Sequence, residues 1–96
     1  MEFRPIERKI IQLNTDAYQQ RGALSYWIIH DHPSDFPDAF IARRYEARAG
    51  AVPLPSTDVL KGPTLAELRN AFVRIGMTRF ERGADDPATV VETWLA

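Results

Sequence analysis

The chain predicts an α+β fold, a mostly antiparallel sheet of four to five strands with one helix, about residues 65–75, packed across it. Three observations predict it. Thr64-Leu65-Ala66-Glu67 is a capping box that opens an amphipathic run. Two stretches rich in aromatic and β-branched residues, 24–30 and 39–46, flank a loop carrying Pro33, Pro37 and three aspartates. Near the end of the chain, 89–95 (TVVETWL) has the same strand-forming composition.

In the helix, Leu65, Leu68, Phe72 and Ile75 recur at spacings of 3, 4 and 3, so they share one face. Glu67, Asn70 and Arg74 fall on the other side. Gly76 follows as the left-handed residue that commonly ends a helix. Start, face and stop agree.

The stretch 24–30 alternates Leu24, Tyr26 and Ile28 on one side with Trp27 and Ile29 on the other. A strand that is apolar on both sides belongs in the middle of a sheet. In 39–46, Arg43 and Arg44 point to opposite faces. Residues 50–56 read as a proline-containing connector and 57–61 as a short strand feeding the helix. After Gly76, 77–80 and 89–95 read as strands. For the last, Thr, Val and Trp favour strand over a short helix capped by Asp86 with Pro87 behind it.

The N-terminal segment offers two templates. Phe3, Ile6, Ile10, Leu13 and Ala17 repeat at 3, 4, 3 and 4, with Gly22 as a stop, which is helical. Lys9 to Leu13 reads as a strand, and Asn14-Thr15-Asp16 favour a turn. The expectation adopted is a strand, or a short helix ending before Asn14.

Ninety-six residues are read as a single domain, 1–96, since two would each lack a sufficient interior. Hydrophobic residues at 45% and charged residues at 26% are ordinary globular usage and argue against a disordered chain. With no cysteine, disulfides, Cys-ligated zinc, iron–sulfur clusters and thiol nucleophiles are excluded together. The start, Met1-Glu2-Phe3-Arg4-Pro5, runs into Glu7-Arg8-Lys9 rather than an apolar stretch, and apolar runs such as Tyr26 to Ile29 are far shorter than a membrane span. A cytoplasmic protein without a membrane partner is therefore expected. A net charge of −1 provides no general field for nucleic acid.

Three clusters could carry chemistry. His30-Asp31-His32 holds both histidines of the chain. If the strand continued through His32, the two imidazoles would project from one face about 7 Å apart. With Asp35 or Asp38 as third ligand, His30 and His32 could then hold a metal. Asp35 and Asp38 as an acid–base pair are countered by the exposure of a proline-bearing loop, where turn formation explains them. Arg43, Arg44, Tyr45 and nearby Arg48 form the candidate nucleic-acid surface, with Tyr45 to stack a base and arginines to hold phosphates; opposite-facing arginines and the adjacent Glu46 weigh against it.

No serine sits in a nucleophile elbow, and the five glycines never approach closer than seven residues, so no phosphate loop or dinucleotide fingerprint exists. The helix N-terminus after Gly62-Pro63 is expected to be closed to anions by Thr64 and Glu67. No catalytic residue and no cofactor are assigned. The leading expectation is a non-catalytic binding or regulatory module acting through protein–protein contact, as a homodimer or with another protein. Its basis is surplus apolar sheet surface, since one helix covers only one face. A small metal-dependent enzyme and a weak nucleic-acid binder are the alternatives.

Overall fold

The computed structural model describes residues 2–96; Met1, first residue of the charged opening stretch, lies outside them. The elements run α1 (Pro5–Arg21), β1 (Leu24–Asp31), β2 (Phe40–Ala47), β3 (Leu54–Gly62), α2 (Leu65–Arg74), β4 (Thr78–Glu81) and β5 (Val90–Leu95). The strands form one antiparallel sheet in the order β3-β2-β1-β5-β4, so β1 is central as its two apolar sides require. Both helices lie on one face of it. The expected α+β class and the helix across the sheet are therefore present, and the last segment is strand rather than helix, over Val90–Leu95.

The N-terminal segment corrects the expectation. It is a helix of 17 residues, and Asn14-Thr15-Asp16 sit inside it rather than in a turn. The apolar repeat prevails because side-chain partners, tertiary for Asn14 and within the helix for Asp16, occupy polar groups that would otherwise bond the local backbone. Asn14 accepts a hydrogen bond from Trp27 Nε1 at 2.9 Å and donates toward Met77 Sδ, and Asp16 accepts from Gln12 at 2.8 Å. Pro5 occupies the first turn, where its missing N–H is harmless, and Arg4 N–H donates to Glu7 Oε1 at 2.8 Å. Gly22 ends the helix at φ 62°, a conformation that a Cβ would oppose.

Helix α2 follows its sequence pattern closely. Thr64 Oγ1 accepts from Glu67 N–H, although the reciprocal Glu67 bond is not among the hydrogen bonds of the described residues. Leu68, Ala71 and Phe72 are buried, with Leu65 and Ile75 at the margin. Its approach to β3 is close. A Cβ on Gly62 would stand 2.7 Å from Leu68 Cγ, so a side chain there would push the helix off the sheet.

Strand β3 is longer than expected, starting at Leu54 within the supposed connector. It tolerates Pro55 because it is an edge strand, and its register against β2 shifts between Arg43 and Tyr45.

The core lies between helices and sheet. Trp27, Ile29, Ala42, Leu60 and Trp94 from the strands meet Ile10 of α1, Leu68, Ala71 and Phe72 of α2, and Met77. Phe72 sits between the two tryptophans, its ring centroid 5.9 Å from Trp27 and 5.5 Å from Trp94. Each such side chain contributes roughly 1.5–3 kcal/mol through burial, and the aromatic pairs add about 0.5–1.5 kcal/mol.

Asn14 ties the buried indole to the helix, so Asn14→Ala leaves a buried N–H without a partner. The expected loss is about 1–3 kcal/mol of unfolding free energy in urea titration; stability equal to wild type would contradict this role for the Trp27–Asn14 bond.

Candidate functional site

Side-chain alternation and strand register place two kinds of residue on the two faces of the sheet. Toward the helices lie Ser25, Trp27 and Ile29 of β1, Ala42 and Arg44 of β2, and Glu92 and Trp94 of β5, all buried. Away from them run two cross-strand rows. One is Pro55, Tyr45, Tyr26, Leu95 and Thr78; the other is Val59, Arg43, Ile28, Thr93 and Phe80. Most are half-buried, and Phe80 is 50% exposed. Tyr26 and Tyr45 stack in parallel, centroids 5.3 Å apart. This is the open face.

The β1–β2 loop closes one end of it. Phe36 of the loop lies under two cations, with Lys61 Nζ 4.8 Å and Arg43 Cζ 5.9 Å from the ring centroid, and Asp35 pairs with Arg43. Beneath this end Ile41 is fully buried although it faces away from the helices.

The expected histidine site does not assemble. Strand β1 ends at Asp31, and His32 adopts φ 46°, which turns it out of the strand; histidine is among the residues that tolerate this region. Its ring pairs with Asp31 and packs edge-on against Phe40, centroids 5.0 Å apart. His30 Nδ1 bonds Thr89 Oγ1 at 3.0 Å, while its Nε2 is buried without a partner. Asp35 belongs to Arg43, and Asp38 is exposed in the loop. Among the described residues no group of three His, Asp or Glu side chains is gathered for a metal ion. Burial, and secondarily the charge of Arg43, hold His30 below the ordinary imidazole range, against the opposing pull of Asp35.

The candidate nucleic-acid residues are divided by the sheet. Arg43 and Tyr45 lie on the open face, where Arg43 is paired with Asp35. Arg44 points the other way, is 4% exposed, and is enclosed by acceptors. Its Nε bonds Asp58 at 2.7 Å, its Nη1 bonds Ser25 Oγ at 3.1 Å, and its Nη2 meets Glu46 at 2.9 Å. Glu46 in turn takes a bidentate fork from Arg21 at the end of α1, at 2.6 and 2.8 Å. Arg48 is exposed outside this cluster. Arg44 is thus a structural ion that fastens the end of α1 to β2 and β3.

Two further ion pairs on the helix side were not foreseen. Arg69 forks onto buried Glu92, down to 2.6 Å, and Glu92 also accepts from Trp94 Nε1 at 2.8 Å. Arg74 reaches buried Glu7 at 2.9 Å and so links the two helices. The sequence signal was present: glutamates fell on otherwise apolar stripes, and each required a cation. A cleft of about 290 Å³ opens between α1 and the chain end, lined by Asn14, Tyr18, Gln19, Leu24, Ser25 and Ala96 among others. Ser25 Oγ accepts from Arg44 Nη1 there.

No helix of the described residues is long and apolar enough to cross a membrane. Comparison with protein-family models, with curated proteins and with solved structures gives no match.

The Arg21 fork, with Arg44 behind it, holds the Glu46 carboxyl down to about 2, well below its ordinary value of 4.5, against the opposing effect of burial. The stability this confers is full above the ordinary carboxylate range and declines as pH falls from there toward 2. Urea titrations at pH 6, 4 and 3 are expected to show that decline, with a shallower slope in Glu46→Gln; identical slopes would remove Glu46 as its source.

Proposed function

We propose that this chain is a non-catalytic binding module that acts through protein–protein contact, homodimeric in its working form, with the open sheet face as the surface that receives a protein partner. The observation that supports this most is the asymmetry of the sheet. Both helices cover one face, while the other presents Tyr26, Ile28, Tyr45, Val59, Phe80 and Leu95 with only a loop at one end. Contiguous apolar surface of this kind marks interaction sites in small domains.

Its composition suits a protein surface in particular. Tyrosine and arginine dominate the residues that anchor protein interfaces, and Tyr26, Tyr45 and Arg43 adjoin one another on this face. The stacked tyrosines are held rigid by each other, so little side-chain freedom is lost on contact. Arg43 is already neutralised by Asp35, which lowers the cost of desolvating it.

Site-specific photo-cross-linking in cells tests the reading. A photoreactive phenylalanine analogue at Thr93, on the open face, is expected to yield a discrete adduct of higher mass, whereas the same probe at Glu67, on the exposed side of α2, yields none. Adducts from both positions alike, or from neither, would count against the open face as the working surface.

A further inference from the structure

We propose that β4 is the self-association edge of this protein, and that two copies pair β4 with β4 antiparallel about a two-fold axis through Phe80, forming one ten-strand sheet. This deepens the homodimer part of the reading above and uses a surface different from the partner face.

The two sheet edges differ in how they are guarded. Edge strands are ordinarily protected against pairing by proline, bulges or charge. The β3 edge carries Pro55, a register irregularity and Lys61. The β4 edge has no proline, a continuous register of four pairs with β5, and four residues that are all exposed. It has charge, but of both signs: Arg79 and Glu81, two residues apart.

The backbone groups available at that edge follow from the ladder. Ala96 N–H donates to Ser25 C=O at 3.2 Å, so residues 96, 94 and 92 of the last strand direct their bonds to β1, and 95 and 93 direct theirs to β4. Thr78 and Phe80, opposite Leu95 and Thr93, therefore bond inward. The N–H and C=O of Arg79 and Glu81 point out of the sheet, free to bond another strand.

A two-fold axis perpendicular to the sheet keeps each face on its own side, which admits registers centred on a residue. Centred on Phe80, Arg79 of one copy lies opposite Glu81 of the other, twice. Both residues carry the outward backbone groups, so four interchain hydrogen bonds form, and the two side-chain pairs are of opposite charge. Phe80 meets its own copy as a non-hydrogen-bonded pair, where side chains approach most closely. This covers a ring that is otherwise 50% exposed. Centred on Arg79, like charges would face each other. The alternation of Arg, Phe and Glu is thus self-complementary in one register.

Analytical ultracentrifugation of the full chain with charge reversals tests the register. Wild type is expected to dimerise, Arg79→Glu and Glu81→Arg each to weaken the dimer roughly tenfold to a hundredfold, and the double swap to restore it, since the pairs are then exchanged between copies. Circular dichroism confirms that each surface variant is folded. A wild type that stays monomeric at millimolar concentration overturns the proposal and the homodimer together, leaving the open face to its own cross-linking test. A dimer indifferent to the single reversals, or not restored by the swap, overturns the β4 register alone.

Discussion

Trp27 is the residue on which the architecture turns. It lies at the middle of the central strand, its indole N–H held by Asn14 of α1 and its ring against Phe72 of α2, which in turn stacks on Trp94. One side chain thereby determines where both helices dock, and on which face. Since β-strand side chains alternate, committing Trp27, Ile29 and Trp94 to the helix side commits Tyr26, Ile28 and Leu95 to the other. The open face is the necessary complement of the core.

Charge reinforces this asymmetry. Arg44, Glu92 and Glu7 are buried among apolar neighbours on the helix side, and each is matched by an opposite charge from a different element, Asp58, Arg69 and Arg74 in turn. Such pairs add little net stability over apolar replacements, but leaving one partner alone is costly. They therefore act chiefly as positional constraints: Arg21 and Arg44 set the end of α1, Arg69 sets α2 over β5, and Arg74 sets the helices against each other. On the open face Arg43 and Asp35 form a partly exposed ion pair, at the end covered by the loop. The rest of that face carries the aromatic and aliphatic side chains of Tyr26, Tyr45, Ile28, Val59, Phe80 and Leu95.

Much of this was legible in the residues. The capping Thr64, the stripe Leu65, Leu68, Phe72, and the two-sided strand around Trp27 each point to the same layered structure, and each is found. The N-terminal helix was hidden by Asn14-Thr15-Asp16, whose local preference for turns is overridden by a partner more than ten residues away, the Trp27 indole. Pro55 concealed the start of β3, because edge position, which makes proline tolerable, is a property of the sheet and not of the segment. The histidine pair looked like a ligand set only while a strand was imagined through His32; its left-handed backbone separates the rings. Arg44 could not be told from a surface arginine without knowing that Asp58, Ser25 and Glu46 converge on it.

The central claim is that one side of the sheet is core and the other is open. A soluble paramagnetic relaxation agent reads this directly in methyl spectra. The methyls of Ile28, Val59 and Leu95 are expected to broaden strongly, while those of Ile10, Ile29 and Leu68 keep their intensity. Equal protection of both sets, or broadening of Ile29 and Leu68, would contradict the arrangement and the interaction surface derived from it.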